Sequence, residues 1–193
     1  MRARHFFLWI AIAAAVSFAA QRFGKFDAPT QRAPAQAGTP ISGRAKIIDG
    51  DSLEVAGERI RLFGIDAPEG RQQCRDAKGE DYACGRDAAR ILTALIGGRP
   101  VSCTLVTHDQ YARDVATCAA EGRDLGEAMV RAGYARDYAR HSKGRYAAAE
   151  RDARAAKRGI WAGEFEDPAA WRKREMRLGG VAAFDDPTAK WKP

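Results

Sequence analysis

Apolar and polar positions alternate with a period of two between residues 44 and 65, the spacing at which successive side chains of a β-strand face opposite sides of a sheet. Turn residues interrupt the alternation twice, at Asp49-Gly50 and at Ala56-Gly57. The pattern therefore predicts three short strands joined by tight turns, over residues 45–48, 52–55 and 59–65.

The periodicity changes to that of a helix further along the chain. Apolar residues between 88 and 96 fall on one helical face, and Gly97-Gly98 ends the segment. Two further strands are predicted over 101–106 and 115–120, and two further helices over 125–135 and 146–157. Gly159 is expected to cap the last helix. Five strands with interspersed helices predict a small α+β domain.

The first 20 residues have the pattern of an export segment. Arg2 and Arg4 make its start positive, and residues 6–20 are apolar without a charge, a run shorter than a membrane span requires. Small residues at 17 and 19 suit a cleavage site, and an uncleaved membrane tether is the alternative. Both predict a domain outside the cytoplasm, either periplasmic, secreted or anchored. The predicted organisation is an export segment over 1–20, a linker over 21–43, a folded domain over 44–172 and a charged tail over 173–193.

Composition adds a preference for polyanionic partners. The chain has 193 residues, of which 46% are hydrophobic, enough for one domain with a core. Its formal net charge is +7 and its isoelectric point is about 9.5. Such a balance favours nucleic acid as partner, and a solvated basic surface is the alternative.

Four cysteines, at positions 74, 84, 103 and 118, follow the export segment, and an even count in an oxidising compartment favours disulfides. Three pairings are possible. We favour Cys74–Cys84, which closes the polar loop after Glu69, and Cys103–Cys118, which ties two predicted strands together. Zinc is disfavoured because the chain has no Cys-x-x-Cys pair.

Candidate chemistry is concentrated at residues 60–69. The predicted strand carries Arg61 in its body, and Pro68 ends any ladder because it has no N–H to donate. Asp66 and Glu69 stand at the end of the strand. A cation and two anions are thereby brought together, either as a surface ion pair or as a site for a charged ligand.

Two other segments carry related side chains. Asp49 and Asp51 flank a glycine at a predicted turn, and the loop over 109–114 carries Tyr111 and Arg113. Alone, the two aspartates read as turn formers, the arginine as a solvated charge and the tyrosine as a packing aromatic.

In this order the three segments resemble the staphylococcal nuclease (thermonuclease) family. The shared motifs are Asp-Gly-Asp at 49–51, Arg-Leu-x-Gly-Ile-Asp-Ala-Pro-Glu at 61–69 and Asp-x-Tyr-x-Arg at 109–113. The resemblance continues to Gly159-Ile160-Trp161 and so covers about residues 44 to 162. It implies a five-stranded OB-type β-barrel with three helices, a fold that commonly binds nucleic-acid strands.

The resemblance also implies a calcium site. Asp51 and Asp66 match the carboxylate ligands, the residue after the second one contributes its backbone carbonyl, and Asp49 matches an outer-shell acid. Here that carbonyl belongs to Ala67. Carboxylate and carbonyl oxygens are the ligands that Ca²⁺ prefers.

Catalytic and nucleotide-binding roles follow by position. Glu69 matches the general base, and Arg61 and Arg113 match two phosphate-binding arginines. Tyr111 matches a residue of the nucleotide pocket. Two further tyrosines of the family fall on Ala139 and His141, and Tyr138, one place away, is a candidate substitute.

The sequence thus predicts a calcium-dependent nuclease that cuts DNA and RNA with little sequence preference, with no obligate protein partner inferred. One alternative is an OB-fold module that binds nucleic acid without cutting it. Another is an envelope domain that binds a protein, for which the basic charge is incidental.

Overall fold

A computed structural model describes residues 40–179. Its main sheet has six strands: β1 (Ile41–Ile47), β2 (Ser52–Val55), β3 (Glu58–Leu62), β7 (Pro100–His108), β8 (Asp114–Ala120) and β9 (Arg123–Asp124). Four strands of two residues form two separate pairs, β4 (Ile65–Asp66) with β10 (Arg136–Asp137) and β5 (Cys74–Arg75) with β6 (Asp81–Tyr82).

The main sheet curls on itself. Its order is β3-β2-β1-β7-β8-β9, and β3 additionally pairs with β8. This last pairing is parallel and sets Arg61 level with Val115, whereas the others are antiparallel. The curl therefore brings the strand of Arg61 beside the strand that follows the loop of Arg113.

Residues 40–179 also contain helices. They are α1 (Cys84–Ile96), α2 (Leu125–Arg131), α3 (Ala139–Ser142), α4 (Ala147–Ala155) and α5 (Pro168–Arg177), with a 3₁₀ turn at Gly159–Ala162. Between residues 40 and 179 no helix has the length and apolar character needed to cross a membrane. The predicted export segment over 1–20 lies outside the described residues.

One apolar core lies between the sheet and the helices α1 and α2. Leu53 and Leu62 from the sheet, Leu92 from α1 and Met129 from α2 are at most 1% exposed. Burial of each such side chain stabilises the fold by about 1.5–3 kcal/mol. The core fixes the strand ends, and the polar residues considered below lie at those ends.

Two disulfides form, Cys74–Cys84 and Cys103–Cys118. Cys103 and Cys118 are direct partners in the β7–β8 ladder. Cys74 in β5 joins the first residue of α1. The pairing is the one favoured from the sequence.

The structure differs from the predicted elements in several places. The strand expected over 59–65 divides at Gly64, whose φ is +73°, and a Cβ there would lie 2.9 Å from the Cβ of Ser142. Residues 41–43, expected in the linker, belong to β1, where Ile41 pairs with Cys103. The helix expected over 125–135 ends at Arg131.

The number of helices and the last residues described also differ from the prediction. Residues 40–179 contain five α-helices where the resemblance implied three. Residues 173–177, expected in the tail, belong to α5, which continues to Arg177. Gly159 does not cap α4; it begins the 3₁₀ turn, where a Cβ would lie 2.2 Å from the carbonyl oxygen of Gly133. Close backbone packing, rather than helix termination, is what requires glycine there.

Candidate active site

The loop between β1 and β2 holds two aspartates close together. A side-chain oxygen of Asp49 accepts a hydrogen bond from the backbone N–H of Asp51 over 3.0 Å, a local turn typical of aspartate. Gly50 between them is packed so tightly that a Cβ would lie 2.6 Å from the Cβ of Ala88 and 2.7 Å from that of Ala67. Packing against α1 therefore fixes the loop.

The guanidinium of Arg61 joins Asp51 to Asp66. Its Nη1 donates to Oδ1 of Asp51 over 2.8 Å, and its Nη2 donates to Oδ1 of Asp66 over 2.9 Å. Both aspartates are buried, with 3% exposure each. Buried carboxylates destabilise a fold unless they are paired, so the two-pronged donor of Arg61 is what lets them approach each other.

Asp51 is held by further donors. Its Oδ2 accepts from the backbone N–H of Ala67 over 3.1 Å, and its Oδ1 accepts from the hydroxyl of Ser52 over 3.1 Å. Ser52 lies directly opposite Arg61 in the β2–β3 ladder. Three segments of the chain therefore meet at one carboxylate.

Glu69 lies in the turn after β4, and Gln72 fixes the backbone of that turn. Oε1 of Gln72 accepts from the N–H of Glu69 over 3.1 Å, and its Nε2 donates to the carbonyl of Glu166 over 2.7 Å. The Gln72 side chain is completely buried. On the other side, a Cβ at Gly85 would lie 1.8 Å from the carbonyl oxygen of Glu69, so α1 packs directly on the turn.

Helix α5 contributes a second guanidinium to the same place. Nη1 and Nη2 of Arg172 donate to Oδ1 and Oδ2 of Asp66 over 2.9 Å and 3.2 Å. Nη1 also donates to Oε1 of Glu69. Asp66 thus lies between Arg61 and Arg172, and Glu69 joins the group through Arg172. We call Asp49, Asp51, Asp66, Glu69, Arg61 and Arg172 the acidic cluster.

The pKa values of Asp49, Asp66 and Glu69 are raised. Burial, together with the charge of Asp51, raises the pKa of Asp49 to about 7. Burial and Asp51 also raise the pKa values of Asp66 and Glu69, against the lowering effect of Arg172 and Arg61. The cluster holds four carboxyl groups and two guanidiniums, so it carries an excess of negative charge when all are ionised, a condition that attracts a cation.

Arg113 is held in its own loop. Its Nε donates to Oδ2 of Asp109 over 2.6 Å, and the guanidinium carbon lies 5.4 Å from the centre of the Tyr111 ring. Although burial alone raises it, the pKa of Asp109 is lowered overall by hydrogen bonds from the backbone and side chain of Arg113 and from the backbone of Tyr111. The β3–β8 register places Asp114 level with Ile60, so this loop lies one strand away from Arg61.

A cavity of about 200 Å³ opens beside Asp66. Tyr138 lines it, and the Tyr138 ring contacts the imidazole of His141 with 4.7 Å between ring centres. Tyr111 is 64% exposed on the separate loop. The other residues that line the cavity are Arg136, Asp137, Ala139, Arg140 and Asp167.

The structure brings together most of the predicted site. The predicted residues at or beside the acidic cluster are Asp49, Asp51, Arg61, Asp66, Ala67 and Glu69. Arg113 lies on a neighbouring loop, with its side chain turned to Asp109.

Sequence reasoning missed two residues that structure the site, Arg172 and Gln72. Gln72 carries no local signal, because its burial depends on distant segments. For Arg172 a signal existed: Asp167-Pro168 is a helix start, with the aspartate capping the N–H groups of Ala169 and Ala170. That signal predicts a helix, although it does not predict where the helix packs.

The donor chemistry of the site suits a hard divalent cation. Asp51 and Asp66 provide buried carboxylates on one guanidinium, with the backbone of Ala67 beside them. Between residues 40 and 179 no group of three or more His, Cys, Asp or Glu side chains has the arrangement of a metal site. Because the protein would supply only a few ligands, other positions around the ion would be left for water and phosphate oxygens. Such mixed coordination is usual for Mg²⁺ and also occurs for Ca²⁺.

Comparison with known proteins places these observations in a family. A family model described as staphylococcal nuclease homologue matches residues 59–163, which include Arg61, Asp66, Glu69 and Arg113 but not α5. The succinoglycan biosynthesis protein ExoI of Rhizobium meliloti is 41% identical over 140 residues, which are 72% of this chain and 73% of that protein.

Two other relatives carry nuclease names. An uncharacterized endonuclease of Escherichia coli O157:H7 is 34% identical over 143 residues, 70% of this chain and 87% of the relative. A probable staphylococcal-like nuclease, CAN3, of Oryza sativa subsp. japonica is 35% identical over 130 residues, 65% of this chain and 32% of the relative. With its OB-type α+β fold and these matches, the chain belongs to the staphylococcal nuclease homologue family.

Proposed function

We propose that this chain is a calcium-dependent nuclease that hydrolyses phosphodiester bonds of DNA and RNA with little sequence preference. The observation that carries the proposal is the bridge from Asp51 through Arg61 to Asp66, with Glu69 joined to the same cluster. Cleavage of a phosphodiester needs oxygen ligands for a cation, a base for water and guanidinium groups for phosphate. The acidic cluster contains residues of all three kinds, and relatives named as endonucleases support the assignment.

Asp51 and Asp66 would hold the ion, with the carbonyl of Ala67 as a further ligand and Asp49 as an outer-shell acid. When bound, the ion polarises a phosphoryl oxygen and offsets the charge of the substrate. The chain keeps Asp51 ready for this role through Ser52 and Ala67, which fix its carboxylate before any ligand binds.

Glu69 acts as the general base. Its Oε1 is held by Arg172, so Oε2 faces the water that attacks phosphorus and takes its proton. A bond forms between the water oxygen and phosphorus, the bond to the leaving sugar oxygen breaks, and that oxygen takes up a proton. Burial raises the pKa of Glu69, which makes the carboxylate a stronger base.

Two arginines hold the phosphate. Arg61 already lies between the aspartates, and Arg113 exchanges Asp109 for a non-bridging phosphate oxygen. Tyr111, exposed on the same loop, and Tyr138, in the cavity beside Asp66, contact the flanking nucleotides. We place the enzyme outside the cytoplasm, which two disulfides support.

The test is an assay of single-stranded DNA and RNA cleavage by purified protein with Ca²⁺, with EDTA, and with the variant Glu69→Gln. We expect cleavage with Ca²⁺, none with EDTA, and a loss of roughly 10²–10⁴-fold in kcat for the variant, the usual contribution of a general base. Glu54→Gln, on a half-buried surface position of β2 paired with Lys46, is the matched control and should retain activity.

Absence of EDTA-sensitive cleavage by the folded protein would contradict the proposal. A gel shift of the same DNA under those conditions would then favour the binding module. The observation in favour of that second function is that Asp66 and Glu69 are both already bonded to guanidinium groups.

A further inference from the structure

We propose that Arg172 is a positioning residue of the active site: it orients Asp66 and Glu69 and limits how tightly the site binds its divalent cation. The inference rests on the proposed nuclease function. It concerns a helix outside the segment that the family model matches, which ends at residue 163.

The contacts of Arg172 connect two groups with different tasks. Its two terminal nitrogens donate to both oxygens of Asp66, a paired geometry that fixes the plane of that carboxylate. The nitrogen shared with Glu69 fixes one oxygen of the base and leaves the other for water. One guanidinium therefore sets the separation between the ion ligand and the base.

Helix α5 holds Arg172 firmly in place. Asp167 caps the helix and forms an ion pair with Arg136 of β10, whose strand pairs with that of Asp66. Trp171, next to Arg172, is buried with 7% exposure. The buried side chain of Gln72 links the carbonyl of Glu166, just before the helix, to the backbone of Glu69. The helix is thus tied to both residues that Arg172 contacts.

The charge of the acidic cluster gives Arg172 a second effect. Four carboxylates and two guanidiniums carry a net charge of −4 + 2 = −2 when all are ionised, which one divalent cation balances. Without Arg172 the same group carries −3. Its guanidinium also occupies both oxygens of Asp66, so an ion must compete with it for that ligand.

These two effects predict opposite changes in one variant. Arg172→Met should bind Ca²⁺ more tightly, on the order of tenfold, because a neighbouring positive charge is removed. Its kcat should nevertheless fall about 10- to 100-fold, since Glu69 and Asp66 lose their common donor. The KM for DNA should stay within about threefold, because Arg172 acts through the two carboxylates.

Arg172→Lys separates charge from geometry. The variant keeps the positive charge, so its Ca²⁺ affinity should stay close to that of the wild type. A single ammonium cannot donate in a plane to Asp66 and also to Glu69, so kcat should still fall about tenfold. Arg177→Met, an exposed arginine on the same helix, is the matched control and should change neither quantity.

The experiment measures Ca²⁺ binding by calorimetry and DNA cleavage kinetics on the full chain, with thermal unfolding as a check of folding. Tighter Ca²⁺ binding with lower kcat in Arg172→Met supports the proposal. Unchanged values, a rise in KM alone, weaker Ca²⁺ binding together with a lowered Tm, or higher kcat would each overturn it. A wild-type protein that cleaves nothing refutes the nuclease function, and the calorimetric comparison still tests the effect of Arg172 on the ion.

Discussion

At the scale of single residues, the site depends on side chains that form hydrogen bonds with two groups at once. Arg61 reaches Asp51 and Asp66, and Gln72 joins the backbone of Glu69 to that of Glu166. A planar fork or an amide has this capacity, whereas an ammonium group acts as a single point charge. Replacement of such an arginine by lysine therefore keeps the charge but loses the paired hydrogen-bond geometry and one of the contacts.

Arg61→Lys should show this directly. We expect kcat/KM to fall roughly 10²–10³-fold, because the phosphate loses a paired donor, and stability to fall by about 1–3 kcal/mol, because one buried aspartate loses its partner. Cleavage assays and urea unfolding check the two effects. Arg59→Lys, at an exposed position of the same strand, is the control, and an equal loss there would point to strand disruption instead.

The proximity of the candidate residues could be predicted from the sequence where their motifs lie close in the chain. Asp49, Asp51, Arg61, Asp66 and Glu69 were all expected in one site, and the structure joins them through hydrogen bonds. Arg172, which donates to both Asp66 and Glu69 and lies 106 and 103 residues from them, was not expected. Contacts of that separation are set by the packing of whole elements, which single-sequence patterns do not specify.

At the scale of elements, strands and helices were predictable where their pattern is local. The hairpin of β2 and β3 and the apolar face of α1 follow from periodicity and turn residues. The break at Gly64 was not predictable, because it depends on the close approach of Ser142 in a helix far along the chain. The parallel pairing of β3 with β8 was also beyond the pattern, since it is a long-range contact.

Packing between elements should be measurable at Gly50. Gly50→Ala places a Cβ within 2.7 Å of Ala67 and Ala88, so α1 and the β1–β2 loop must move apart. We expect a stability loss of about 1–3 kcal/mol, the usual effect of overpacking, and weaker Ca²⁺ binding as Asp51 shifts. Denaturant unfolding and calorimetry measure both.

The control for that substitution is Gly43→Ala in β1, where the nearest atom to the added Cβ lies 3.6 Å away, an ordinary contact. It should change stability by no more than about 0.5 kcal/mol. Equal losses at the two positions would mean that the close approach of Ala67 and Ala88 to Gly50 has no effect of its own on stability.

At the scale of the whole molecule, charge and fold both favour a polyanion as partner. The chain has a formal net charge of +7, yet the cluster that would meet the phosphate carries an excess of carboxylates. A polyanion is therefore attracted by the basic molecule as a whole, and is repelled at the cluster until a cation balances it. Long-range attraction and local ion binding are two separable requirements.

The salt dependence of DNA binding separates long-range attraction from binding at the acidic cluster. With Glu69→Gln protein and Ca²⁺ present, the affinity for single-stranded DNA should fall linearly on a log–log plot against salt, with a slope of about −0.7 for each phosphate neutralised. A strand of about ten nucleotides should give a slope of roughly −2 to −4, that is, about three to six phosphates. A dinucleotide with one phosphate should give a slope no steeper than about −0.7, because it reaches the cluster alone. If the longer strand bound with the same slope as the dinucleotide, the net charge would contribute nothing to binding. The absence of any affinity for the strand, at low as at high salt, would favour a protein partner for this domain.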